Sequence, residues 1–211
     1  MTSAKDRSCR VWSLEQDPTK NDPTNTNSNS ISGSNQRRGY CVAIGQGHTD
    51  AVGAVCVSQS HATYASRAVS IISGAADKIL KRWPLQVHKF SSKAATGDVT
   101  VTELTPSHGV RAHEKEINSV AFSPDDAIVA SASLDKTIRL WSSKDLSPIA
   151  TLKGHKRGVW KVVFSPVEKV LVSCSGDRTL KLWSMVDYTL LKTFMGHTSS
   201  VLCVKFINSG K

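Results

Sequence analysis

Three features of this 211-residue chain predict an all-β architecture built from repeated four-stranded units. First, a polar set recurs: Gly47-His48 with Ser73, Asp77 and Trp83; Ala112-His113 with Ser131, Asp135 and Trp141; Gly154-His155 with Ser173, Asp177 and Trp183. In each set the Asp stands four residues after the Ser and the Trp six after the Asp. Second, the interval is regular: 42 residues separate His113 from His155, and 42 separate His155 from His197. Third, short apolar or alternating runs bounded by Gly, Pro, Asp and Ser fill the spaces between these marks, the pattern of strands joined by turns.

The elements follow in chain order. Residues 1–47 read as a partial blade carrying Thr2, Asp6 and Trp12, the start of a fourth set whose Gly196-His197 stands at the other end of the chain. A stretch of Asn, Ser, Thr and Pro over 16–38 interrupts it and reads as a disordered insertion. Residues 48–112 form the next blade, with strands over Val52 to Val57, Val69 to Ser73 and Ile79 to Trp83 and a weak fourth before His113. Its period is broken by insertions at 60–68 and 84–105. In 113–154 the strands are Ile117 to Phe122, Ile128 to Ser131, Thr137 to Trp141 and Ile149 to Leu152. In 155–196 they are Val159 to Phe164, Lys169 to Cys174, Thr179 to Trp183 and Leu190 to Phe194. The segment 197–211 then supplies the first strand of a truncated blade, Val201 to Phe206, which makes fifteen strands in all.

A Gly-His pair and a late Trp repeating at roughly 40–45 residues resemble the WD40 repeat, in which each repeat is one propeller blade. The expected fold is therefore an incomplete WD40 β-propeller, about three full blades with partial blades at both ends. A four-bladed ring closed by pairing the N-terminal remnant with the last strand is disfavoured, because the second strand of the remnant is almost absent. A portion of a larger propeller is the expectation. The three insertions all fall in loops after odd-numbered strands, which places them on one face of the array; insertions gathered on one face can mark a binding face.

Composition narrows the class. The formal charge is +10, from 27 Lys and Arg against 17 Asp and Glu. It is uneven: residues 155–196 hold seven basic and three acidic side chains, whereas 113–154 hold five and six. Such a balance favours polyanionic neighbours, RNA or acidic proteins. Cys9, Cys41, Cys56, Cys174 and Cys203 are scattered and odd in number, which fits a reducing nuclear or cytosolic compartment. No apolar run approaches the roughly 20 residues of a membrane helix, and the N-terminus has no signal-peptide core.

Recurring Ser, His and Asp invite a hydrolase reading. Repetition argues against it, since an active site needs one constellation with an oxyanion hole and this trio returns in every blade beside a Trp. A structural reading has a direct cause: the imidazole donates to the Asp, accepts from the Ser hydroxyl, and that hydroxyl accepts the indole N–H. No zinc-type ligand spacing occurs among the His and Cys. Gly45-Gln46-Gly47 lacks the following Lys-Ser/Thr of a phosphate loop, so no metal, cofactor or catalytic residue is expected.

The positions after the turn Asp read Arg7, Lys78, Lys136 and Arg178, and Lys156-Arg157 follow His155. These loops share the face opposite the insertions, and together they are the candidate rim facing RNA phosphate or acidic partner loops. Trp160, on a first strand, reads as packing, and Arg37-Arg38 is too short for a nuclear signal.

Several loop sequences are more particular than the repeat itself: Gly47-His48-Thr49-Asp50-Ala51-Val52-Gly53, Glu116-Ile117-Asn118-Ser119-Val120-Ala121, Gly154-His155-Lys156-Arg157-Gly158-Val159-Trp160, and Leu191 to His197 leading into Ser200-Val201-Leu202. They resemble the transducin-beta-like WD40 family, subunits of the small-subunit processome that assembles on pre-ribosomal RNA with the U3 small nucleolar RNA. The resemblance implies tandem propellers followed by a C-terminal helical domain, of which this chain corresponds to part of the second propeller. It implies a nucleolar, non-enzymatic scaffold whose partners are other processome proteins and, directly or through them, pre-ribosomal or U3 RNA. The reading from a different class is a WD40 adaptor for signalling, transcription or ubiquitin-ligase complexes.

Overall fold

The computed structural model describes residues 2–3, 5–15, 38–58, 68–86 and 101–207. Apart from Arg38 and Ala68, the insertions 16–38 and 60–68 lie outside these residues, as do 87–100 of the third and 208–211. In chain order the strands are β1 (Thr2–Ser3), β2 (Cys9–Glu15), β3 (Arg38–Gly45), β4 (Val52–Val57), β5 (Ala68–Ala75) and β6 (Ile79–Gln86). They continue with β7 (Thr102–Leu104), β8 (His108–Arg111), β9 (Ile117–Phe122), β10 (Ile128–Ser133), β11 (Thr137–Ser142) and β12 (Pro148–Lys153). The last four are β13 (Val159–Phe164), β14 (Val170–Ser175), β15 (Leu180–Ser184) and β16 (Leu190–Phe194). No helix occurs among the described residues.

The strands make four four-stranded sheets, ordered β1-β2-β3-β7, β4-β5-β6-β8, β9-β10-β11-β12 and β13-β14-β15-β16. The last two are pure antiparallel meanders. The hydrophobic core lies between the sheets. Ala130, Ile138, Leu140 and Leu152 of the third sheet pack against Val159, Val162, Leu171 and Trp183 of the fourth. Ile72 and Leu80 of the second meet Ile117, Val120, Val129 and Trp141 of the third. Cys9 and Ala43 of the first meet Ile71, Trp83 and Leu85 of the second. Central strands are therefore apolar on both faces, which is why β10 and β14 read as near-continuous runs of Val, Ile, Leu, Ala, Cys and small Ser.

Backbones approach closely at the junctions. A Cβ on Gly53 would lie 2.7 Å from the Ile117 carbonyl oxygen, and one on Gly74 would lie 2.5 Å from Ile117 Cγ2. Across the next junction Asn118 Nδ2 donates to the Val159 carbonyl (2.9 Å).

Two expectations are corrected. The segment 84–105 is not only a loop: β6 runs on to Gln86, and β7 crosses to the preceding sheet to pair parallel with β3, Ala43 with Thr102 and Gly45 with Leu104. Leu104 is buried in the same core as Ala43 and Trp83, so its burial and the open edge of β3 draw this segment across. Conversely, 201–207 form no strand. Strand structure needs a partner ladder, and this segment belongs to none of the four sheets. It is still docked, since Val201 is buried and its N–H donates to the Ser175 carbonyl (3.1 Å). The strands thus number sixteen among the described residues rather than fifteen.

Candidate functional site

Each complete blade brings its polar set together. The loop leading into the blade carries the His, the hairpin turn carries the Asp, and the two strands joined by that turn carry Ser and Trp. In the second sheet His48 Nδ1 lies 2.8 Å from Asp77 Oδ2, His48 Nε2 lies 2.7 Å from Ser73 Oγ, and the Trp83 indole N–H donates to Ser73 Oγ (2.8 Å). In the third, the His113–Asp135, His113–Ser131 and Trp141–Ser131 distances are 2.9, 2.8 and 2.8 Å. In the fourth, the His155–Asp177, His155–Ser173 and Trp183–Ser173 distances are all 2.8 Å. Every one of these Ser and His residues is buried.

Burial depresses the pKa of His48, His113 and His155, and the neighbouring carboxylates only partly offset it. The imidazoles are therefore neutral near pH 7, with Nδ1–H donating to Asp and Nε2 accepting from Ser. Burial would raise Asp135, but hydrogen bonds from Thr137, the Glu114 N–H and His113 outweigh it and bring it down to about 2. Asp177 is lowered in the same way, by Thr179, the Lys156 N–H and His155. The sign is common to all five groups. Between the folded and unfolded pKa values the unfolded chain binds more protons, so stability rises with pH. The histidine contribution is whole above the unfolded value of about 6.5 and declines below it; the carboxylate contribution declines below about 3.9. The thermal unfolding midpoint is expected to fall from pH 7 to pH 5 and again below pH 4. A midpoint that is level between pH 7 and pH 5 would contradict neutral buried imidazoles.

In the fourth set His197 makes no hydrogen bond to Asp6. Asp6 accepts from the Ser8 N–H (3.1 Å) and pairs with Arg10 (2.6 Å), Trp12 is 41% exposed, and His197 is exposed beside Gly196 at the far end of the array. The side chain of Thr2 lies outside the described residues. Burial of thiols matches their use as small apolar groups: Cys56 is pushed up to about 12 and Cys174 to about 11. Among the described residues no cluster of His, Cys, Asp or Glu could hold a metal ion.

The turn after each Asp has a conformation that sequence reading missed. Arg7, Lys78, Lys136 and Arg178 have φ of 67°, 69°, 75° and 70°. The Asp side chain makes this possible by capping the N–H two residues on, as Asp135 does for Thr137 (3.0 Å) and Asp177 for Thr179 (3.0 Å). The recurrence of Asp before a basic residue is the signal that could have found it.

The rim is not a uniform ring. The two positions after the loop His read Thr49-Asp50, Glu114-Lys115, Lys156-Arg157 and Thr198-Ser199. Asp50, Glu114 and Glu116 are exposed, and Glu114 pairs with Arg111 (3.3 Å), so positive charge is offset around the second and third sheets. It concentrates at the fourth, where Lys156, Arg157 and Arg178 line one groove of about 500 Å³.

Comparison with known proteins places these features in a family. The family model described as "WD domain, G-beta repeat" matches residues 39–84, 104–142, 146–184 and 188–211. The chain is 35% identical over 139 residues to transducin beta-like protein 3 of Rattus norvegicus and 35% identical over 141 residues to that of Homo sapiens, in each case 66% of this chain. It is 32% identical over 145 residues, 67% of the chain, to U3 small nucleolar RNA-associated protein 13 of Saccharomyces cerevisiae. The matched region spans about 14% of the length of each of these relatives.

Proposed function

The chain belongs to the WD40 (WD domain, G-beta repeat) family, and from that premise we propose that it is a non-enzymatic scaffold in pre-ribosomal RNA processing and small-subunit assembly. The observation that carries the reading is its similarity, over about two thirds of its length, to transducin beta-like protein 3 and to a U3 small nucleolar RNA-associated protein. The site geometry agrees with a scaffold. The His, Ser and Asp that a hydrolase would need are committed to one another and to a Trp in three successive blades. Its partners are processome proteins, through which it reaches pre-ribosomal or U3 RNA, and its place of work is the nucleolus. The face it presents is the basic rim, densest at Lys156, Arg157 and Arg178.

Affinity purification of the tagged protein from its own cells, with proteins and RNA identified together, tests this. Recovery of processome proteins with U3 RNA, retained in moderate salt, is the expected result. Recovery of signalling, transcription or ubiquitin-ligase components without that RNA would overturn it.

A further inference from the structure

The groove beside the fourth sheet differs from its counterpart one blade earlier in what fills its floor. The residue before the turn Asp is Leu134 in the third sheet and Gly176 in the fourth. Leu134 packs onto the next blade, where a Cβ on Gly158 would lie 3.2 Å from its Cδ1. Gly176 places no side chain there, and Trp160 comes up against its backbone instead. A Cβ there would stand 3.3 Å from Trp160 Nε1, 3.6 Å from Arg157 Cβ and 3.7 Å from Ser200 Oγ. The Trp160 indole N–H is itself buried with no hydrogen-bond partner, an unspent donor beneath the groove against Gly176.

Three cations stand over this floor. Among the described residues the side chains of Lys156, Arg157 and Arg178 make no hydrogen bond or ion pair, and all three are exposed. The one carboxylate of the groove, Asp177, is already occupied by His155, the Lys156 N–H and Thr179. The opposite wall is Thr198, Ser199 and Ser200, three more donors held in place by the Val201–Ser175 backbone bond.

We propose that this groove binds a phosphorylated serine or threonine in a loop of a partner protein. Converging cations and hydroxyls in a confined space suit a compact dianion, which takes several charge-assisted hydrogen bonds at once. An extended nucleic-acid backbone fits less well. It needs a continuous basic track, with bases stacked on aromatic faces where the strand is single. Here the acidic Asp50, Glu114 and Glu116 interrupt the rim. The inference rests on the scaffold reading only in taking a protein as the partner.

Fluorescence anisotropy with the full chain tests it, using a labelled peptide library with phosphoserine at a fixed centre. The controls are matched libraries with serine or glutamate at that centre and a polyuridine oligonucleotide. The phosphoserine library is expected to bind about tenfold or more tighter than the serine library. That preference is expected to vanish in Lys156→Glu/Arg157→Glu/Arg178→Glu and to weaken in Gly176→Leu, which installs the side chain the preceding blade already carries. Unfolding midpoints check the variants; should the triple variant not fold, Lys156→Ala and Arg157→Ala singly are expected to weaken phosphoserine binding. Equal binding of the serine and phosphoserine libraries overturns the proposal, and so does polyuridine binding that the triple variant loses without any phosphoserine preference. Either outcome leaves the scaffold reading to stand or fall on its own purification experiment.

Discussion

Trp183→Ala is expected to lower the folding free energy by about 3–5 kcal/mol, the usual cost of emptying a large aromatic site in a core. The indole is 2% exposed and fills the junction between the third and fourth sheets with Ala130, Leu140, Leu152 and Val162. Its removal opens a cavity between two rigid sheets that cannot collapse onto one another without breaking their ladders, and it takes a donor away from Ser173 Oγ. Trp183→Phe keeps most of the volume and loses that hydrogen bond, so its cost should be smaller, about 1–2 kcal/mol. Denaturant midpoints measured at a constant slope separate the two. Equal losses for Phe and Ala would mean that the indole N–H, and not the packing, dominates.

Asp177→Ala is expected to cost about 2–4 kcal/mol, because it strands donors rather than removing volume. The carboxylate accepts from His155 Nδ1, the Lys156 N–H, the Thr179 N–H and Thr179 Oγ1. The imidazole is buried and cannot turn to water, so its lost partner carries most of the effect. The loop leading into the blade, the turn and the rim cations then lose their common anchor. Slowed amide exchange at Lys156 and Thr179 in the wild-type chain, lost in the variant, would locate the effect at the turn.

The interior of the third and fourth sheets was legible in the sequence because β9 to β16 obey one local rule: a strand that alternates or runs apolar, then a turn residue. The polar sets were legible for a related reason. A buried His, Ser and Asp need mutual partners, and only a recurrent spacing supplies them blade after blade. β7 was not legible, since Thr102-Glu103-Leu104 has no period of its own and is a strand only because β3 offers an edge. The error over Val201 to Phe206 is the converse. Its apolar alternation is a strand pattern, yet a pattern without a neighbouring ladder stays a docked, irregular segment. The basic residues of the rim were visible one by one, but their unequal grouping was not. That depends on Glu114 pairing with Arg111 and on the missing side chain at Gly176, relations across blades that no linear spacing displays.

One polar device staples each of the three complete blades, tying loop, turn and strands together. The unfolding free energies of Asp77→Ala, Asp135→Ala and Asp177→Ala, measured side by side, test that most directly. All three should fall, with Asp77→Ala least affected, because Ile79 offers Asp77 only a backbone N–H where Thr137 and Thr179 add a hydroxyl. A loss confined to one variant, with the other two as stable as the parent chain, would contradict it and return the trio of that single blade to consideration as a specialised site.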